Sequence, residues 1–194
     1  MVGFAKIGRV QRFANTLEAG VEDVETTRHG CYHNDNNPVR SMTKALIRHA
    51  VREDFETLLE IDEASFPGGV AYNANELAYF MNRDGAETLV AEQAGEIIAF
   101  LIMEVHRNRR TATLITLDVR EDHRRSGYGT LLMKRAEETL RDYGVEVYDL
   151  QVDIKNRNAV RFYNKHGFTV VRTLPKYYAN GNDAYLMVKE LERA

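Results

Sequence analysis

Residues 123–133, HRRSGYGTLLM, set Arg124 and Arg125 before Ser126, Gly127, Tyr128, Gly129 and Thr130, ahead of an apolar run. The first amides of a helix have no partner inside it and lie at the positive end of its dipole. Glycines remove the side-chain bulk that would keep an anion from those amides, and two arginines add charge, which makes a nest of pyrophosphate size. The same residues equally suit a plain strand-to-helix turn with solvated arginines, since short glycine patterns are common. Two familiar phosphate loops fit poorly. A Walker A loop ends in Gly-Lys-Ser/Thr, where this chain has Gly127-Tyr128-Gly129-Thr130, and a Rossmann fingerprint reads Gly-x-Gly-x-x-Gly rather than Arg-x-x-Gly-x-Gly.

Other clusters carry less. His29, Cys31 and His33 alternate without the paired spacing of a structural zinc site, so no metal is expected. His123 adds to the positive edge of the glycine loop. His166, next to Gly167, stands where a helix ends and suits an interaction with its dipole. The run HRNRR at residues 106–110 reads as a solvated hairpin turn.

The elements that must position these residues alternate between strand and helix patterns from about residue 44 onward. ALIRHAV, AETLVAEQ, EIIAFLIMEV, TATLITLDV, VEVYDLQVDI, FTVVRTL and DAYLMVKEL read as strands, with Ala94-Gly95 suited to a hairpin. REDFETLLEIDEASF carries Phe55, Leu58, Leu59 and Ala64 at helical spacing. The loop PGGVAYNAN leads to a short helix through ELAYFMNR. In YGTLLMKRAEETLRDYG, Tyr128, Leu132, Ala136, Leu140 and Tyr143 form one stripe, with Gly144 as the C-cap. NRNAVRFYNKHG is a further short helix. Residues 1–42 differ: Ile7, Val10, Ala14, Leu17, Val21 and Val24 would make one apolar seam on a helix, interrupted by Gly8 and Gly20. They read as an N-terminal extension, partly helical or disordered, before a domain at residues 43–194. A homodimer contact or a partner through that seam is the alternative to a loosely docked helix.

The chain has 194 residues, a formal net charge of −3, 44% hydrophobic and 28% charged residues, and one cysteine, which together fit a globular protein with a core of its own. No global basic field argues for nucleic acid or an anionic membrane. With no internal disulfide, signal peptide or membrane-span pattern, the expectation is a soluble, cytoplasmic protein.

Arg124-x-x-Gly127-x-Gly129, after LDV and before an amphipathic helix, resembles the acetyl-CoA motif of the GNAT N-acetyltransferases. VDIKNRNAVRFYNKHGF, farther along, is similar to that family's second signature, Asn-x-x-Ala-x-x-Phe-Tyr-x-x-x-Gly-Phe. YYANGNDAYLM resembles the end of the RimI-like and archaeal Ard1-type branch, which acetylates protein N-terminal α-amines. The resemblance covers about residues 44–194. It implies a mixed α/β fold with a largely antiparallel, splayed central sheet and helices on both faces.

It also implies roles. The amides of Arg125, Ser126, Gly127, Tyr128, Gly129 and Thr130, with Arg124 at the first motif position, would hold the pyrophosphate of acetyl-CoA. Leu117 and Val119 would offer main-chain groups to the pantetheine arm, as would Asn156, which is equally a favoured helix N-cap. Tyr163 matches the tyrosine beside the sulfur. A phenol of unperturbed pKa ~10 keeps its proton at neutral pH and can donate it to a departing thiolate.

The residue that would take up the amine's proton is where the chain departs from the pattern. Relatives often carry Glu or His where this chain has Gln151, in Leu150-Gln151-Val152, and a second family position falls on Thr113. An α-amine, of unperturbed pKa ~7.7–8.0, needs less help than lysine at ~10.4, so a water chain held by Gln151 is one solution. Asp118, Asp149, Asp153 or Glu104 acting through water is another. Phe66, Pro67 and Tyr72 on one loop, and Tyr177 and Tyr178 on another, are the candidate substrate contacts, an aromatic clamp for a peptide's first residue. The expected activity is acetyl transfer from acetyl-CoA to a protein N-terminus by direct attack in a ternary complex. A small amine such as a polyamine or antibiotic as acceptor, or a non-catalytic acyl-CoA sensor, are the alternatives.

Overall fold

Two apolar runs of strand length flank Ala94-Gly95, both with positive φ (53° and 83°), the geometry of a tight turn whose twist matches a hairpin. The computed structural model describes residues 45–66 and 71–192. The apolar seam and the His29, Cys31 and His33 cluster of the first 42 residues, and Pro67, lie outside them. The hairpin joins β2 (Ala86–Gln93) to β3 (Glu96–His106). β1 (Leu46–His49), β4 (Thr111–Val119), β5 (Val147–Asp153), β6 (Thr169–Leu174) and β7 (Ala184–Glu190) complete a seven-stranded sheet in the order β1-β2-β3-β4-β5-β7-β6. Every neighbouring pair is antiparallel except β4 and β5.

The helices lie on both faces. α1 (Phe55–Ser65) and α2 (Ala74–Asn82) cover one, where Leu58, Ile61, Leu77 and Phe80 pack on Val90, Phe100, Ile102 and Ile115. α3 (Tyr128–Asp142) and α4 (Arg157–Lys165) cover the other, over Leu101, Met103, Leu114, Leu150 and Met187. Along α3 the stripe Tyr128, Leu132, Ala136 and Leu140 is buried as its spacing requires. Gly144 (φ 69°) closes that helix, with the Val145 N–H donating to the Leu140 carbonyl at 2.9 Å, a Schellman ending.

α1 buries a different stripe from the one its spacing suggests. Leu58 is in the core, but its companions are Ile61, Asp62 and Ser65; Phe55 and Leu59 are only partly buried and Ala64 is exposed. A polar group decides this phase: the Asp62 carboxylate turns inward to accept the Tyr72 N–H at 2.7 Å. α2 starts two residues earlier than expected, at Ala74, because Asn73 and Glu76 form a reciprocal capping box.

The β4–β5 contact is short. Its register runs from Thr111↔Val147 to Leu114↔Leu150 and stops, although β4 continues to Val119 and β5 to Asp153. At that point β4 carries an extra residue, Ile115, where its pairing to β3 shifts register. Such a bulge bends and twists its strand, and here it turns β4 away from β5. The two strands therefore form a V that is closed at Leu114 and Leu150 and open beyond them.

Candidate active site

Past Leu114, β4 keeps its ladder to β3 but has no pairing to β5. Leu117 and Val119 stand on that open stretch. The Val119 carbonyl accepts the Arg124 Nε–H at 3.2 Å, which ties the glycine loop to the strand end. Arg125 (φ 62°) and Gly127 (φ 91°) both take the left-handed conformation, curling the loop into a concave turn. Gly127 is the N-cap of α3 and supplies no side chain to cap it, and the first turn holds no acidic residue. The amides opening α3 are thus offered without a built-in carboxylate competitor, which fits an anionic group there.

Gly129 has a different use from the one its place in the loop suggests. A Cβ on it would stand 3.3 Å from Phe162 Cζ and 3.8 Å from a Leu117 methyl. Its missing side chain lets α3 close on α4 rather than making room for an anion. Tyr128 is buried, and its hydroxyl donates to the Gln93 side chain, bracing the start of α3 against β2. The Thr130 hydroxyl lies 3.3 Å from His166 Nε2. Burial holds His166 below the usual imidazole range, which disfavours the cation that the expected dipole role would use. His123 pairs with Asp122 at 2.9 Å, which offsets its contribution to the positive edge. Arg107, expected to be solvated, covers the Tyr143 ring at 4.2 Å.

The second glycine-bearing motif is explained largely by helix punctuation. The Asn156 side-chain oxygen accepts the Ala159 N–H at 3.1 Å and caps α4. At the other end Gly167 (φ 85°) permits a second Schellman ending, in which the Phe168 N–H donates to the Tyr163 carbonyl at 3.0 Å. The rings of Tyr163 and Phe168 meet at 5.8 Å, the hydrophobic contact that accompanies such endings. Tyr163 is fully buried, also edge-on to Phe162 at 5.3 Å.

Three residues from two segments meet at the mouth of the V. Gln151 is the first β5 residue past the last β4 pair. The Tyr177 hydroxyl donates to Gln151 Oε1 at 3.2 Å, and the Tyr178 hydroxyl to the Gln151 carbonyl at 3.3 Å. The two rings stand edge to face at 5.2 Å, so the β6–β7 connection is fastened to β5 at this point. Phe66 ends α1, partly buried. Tyr72 is placed otherwise than in a clamp: its ring packs on Phe80 at 4.9 Å within the α1–α2 core.

Residue types alone leave Asp149 among several acids and do not single out Asp62. Asp149 lies two residues before Gln151 on β5, hence on the same face, and Gln151 Nε2 donates to its Oδ1 at 3.3 Å. It pairs across the sheet with Thr113, which pairs in turn with Glu104. Burial pushes the Asp149 carboxyl up to about 6; hydrogen bonds from Thr113 and Gln151 oppose the rise, and Glu104 adds to it. Glu104 is matched by Arg83 at 2.9 Å and His106 at 3.6 Å. Asp118 is buried and accepts the Thr116 hydroxyl at 2.7 Å. The alternation of two along a strand is the signal that could have joined Asp149 to Gln151.

Residues 43–168, which include the glycine loop, the V and the capped α4, match the Acetyltransferase (GNAT) family. The chain belongs to that family. This GNAT protein is an N-acetyltransferase, and it is 29% identical over 160 residues to an N-alpha-acetyltransferase of Sulfurisphaera tokodaii, covering 75% of this chain and 92% of that one. An N-alpha-acetyltransferase of Saccharolobus solfataricus is 26% identical over the same shares. Among solved structures, Ard1 from Thermoplasma volcanium superposes with a TM-score of 0.71 at 26% identity, over 77% of this chain and 99% of that one. The ribosomal-protein-S18-alanine N-acetyltransferase from Escherichia coli shares the fold, with a TM-score of 0.70 at 23% identity over 78% and 96%. The GNAT fold of this chain is therefore that of the expected mixed α/β class. No described helix is long and apolar enough to cross a membrane, and no group of three His, Cys, Asp or Glu is placed to hold a metal among the described residues.

Proposed function

We propose that this protein transfers the acetyl group of acetyl-CoA to the α-amine of a protein N-terminus, by direct attack within a ternary complex. The observation that carries the reading is the fastening of Tyr177 and Tyr178 to Gln151 at the mouth of the V. It fastens the β6–β7 connection to β5 where that strand parts from β4, and so sets two aromatic rings at the place where an acceptor would approach. Glu104, on the Gln151 face of the sheet, is matched by Arg83 and so offers less to a multiply charged polyamine. The archaeal relatives, named for α-amine acetylation, point the same way.

Acetyl-CoA supplies an activated acyl group as a thioester. In this reading residues 124–130 bind its pyrophosphate through the exposed amides of the α3 N-terminus, Leu117 and Val119 align its arm along the open edge of β4, and Asn156 contacts that arm beside the start of α4. Tyr163 gives its proton to the departing sulfur. Phe66 on one side, and Tyr177 and Tyr178 on the other, flank the acceptor, with Gln151 orienting it.

A panel of Met-, Ser- and Ala-initiated peptides, with polyamines alongside, tests the proposal by mass spectrometry after incubation with acetyl-CoA. Acetylation at the α-amine is expected. Modification confined to lysine side chains or polyamines overturns it, and coenzyme A binding without any turnover would favour a sensor. Tyr163→Phe should lower turnover while leaving coenzyme A binding in place.

A further inference from the structure

We propose that Asp149 is the proton acceptor for the incoming amine, standing at the closed end of the β4–β5 cleft where Thr113 and Gln151 orient its carboxylate. The inference rests on this cleft being the place of acetyl transfer, and it does not require the acceptor to be an α-amine.

Gln151 stands where the cleft opens, and an amide cannot take a proton at neutral pH. Its orientation is nonetheless informative. A carboxylate only accepts, so the Gln151 NH2 must face Asp149, and its Oε1 then faces the Tyr177 hydroxyl. Tyr177 donates to Gln151, and Gln151 donates to Asp149. The donors therefore converge on Asp149, where the negative charge resides. Thr113 donates from the neighbouring strand. Two such bonds use about half of a carboxylate's acceptor positions and leave the others for an ammonium or a bridging water. Asp149 is only partly buried, unlike Glu104 and Asp118. It shares the α1–α2 face with Gln151, and the two strands diverge just beyond it, after Leu150.

The charged and titratable groups facing Asp149 are Glu104 on β3, itself held by Arg83 after α2 and His106 at the end of β3, and Tyr177 through Gln151. β7 opposes it with the apolar Val188. In the reaction one N–H proton of the ammonium passes to Asp149, and the freed lone pair forms the C–N bond as the C–S bond breaks. Tyr163 protonates the departing sulfur, the second N–H proton of the amide nitrogen restores the Tyr163 hydroxyl, and Asp149 returns its proton to water.

The pH profile of kcat for wild type and Asp149→Asn, with the best acceptor of the panel at saturation, tests this. Wild type should show an acid limb near the carboxyl value of about 6. Asp149→Asn should lose about 10²-fold in kcat and the limb with it, the usual worth of a positioned base. Thr113→Val removes a donor and should move the limb to higher pH; Glu104→Gln removes a negative neighbour and should move it lower. A kcat for Asp149→Asn within about threefold of wild type, with an unchanged limb, overturns the proposal.

A second readout needs no ligand. An acid whose folded value is raised adds stability below its ordinary range, ~3.9, and loses it as pH rises through the folded value. The Tm of Asp149→Asn should therefore gain on wild type between pH ~4 and pH ~7, and a gap that does not change across that window overturns the assignment of a raised, titrating Asp149. Acetylation of lysine peptides alone would overturn the α-amine reading, while the same profiles on a lysine peptide would still decide the role of Asp149.

Discussion

Gln151 has three hydrogen bonds in three directions, to Asp149, from Tyr177 and, through its main chain, from Tyr178. A residue that joins a strand to a loop in this way fixes where an acceptor can enter. Tyr177→Phe deletes one neutral hydrogen bond, a loss of about 0.5–1.5 kcal/mol, and should lower kcat/KM for peptide up to about tenfold. Titration calorimetry should find coenzyme A affinity unchanged, because the glycine loop lies on the other side of the V. Gln151 and the tyrosine pair were legible in the sequence through the family's patterns, but the bonds among them were not. Nothing in their separation along the chain says that they touch. Asp149 was visible only as one acid among several, since choosing it needs both the period of its strand and the identity of the strand beside it.

Among the elements, α1 shows how a buried polar group can override apolar spacing. Asp62 receives the Tyr72 N–H, while the Phe66 N–H donates to the Asp62 carbonyl at 3.0 Å. One residue thus holds both ends of the connection from α1 to α2, which carries Phe66, the first of the substrate candidates. Asp62→Ala leaves the Tyr72 N–H buried without that acceptor and should cost about 1–3 kcal/mol by urea unfolding. In the same variant the KM for peptide should rise more than kcat falls, since α1 and α2 border the cleft without supplying the reacting groups. The phase of α1 departs from its apolar spacing for a physical reason. Phe55, Leu59 and Ala64 are apolar, but an inward carboxylate with a good donor turns the helix away from them.

At the scale of the molecule, two carboxylates pull the pH dependence of stability in opposite directions. Hydrogen bonding to Arg48 holds Asp54 below the usual carboxylate range, in a two-pronged contact at 2.7 and 3.0 Å that ties the start of α1 to β1. A lowered acid adds stability above its ordinary value and loses it as pH falls through the folded value. Asp54→Asn should therefore lower Tm by about 2–4 °C at pH 7, the equivalent of roughly 1 kcal/mol in a chain of this size, with the gap closing in acid. Thermal denaturation between pH 3 and 7 checks this, and a gap that widens in acid would contradict it. Asp149 runs the other way. A carboxyl raised by burial works against folding at neutral pH, a cost that is common where a group is kept for chemistry.

The sequence by itself determined where the strands and helices lie and how α3 and α4 end, because period, caps and glycines act over a few residues. It also determined the family, since the glycine loop and the Asn156 to Phe168 signature are both local motifs, the second built from a cap and a Schellman ending. Only the tertiary structure decided where the sheet splits. The V depends on a bulge at Ile115 that shortens the parallel pairing, and a bulge is a relation between two strands rather than a property of one. The same holds for the assignment of Gly129 to helix packing against Phe162 and of Asp149 to the closed end of the cleft. Each is set by a neighbour distant in sequence, and long-range packing decides which neighbours a residue has.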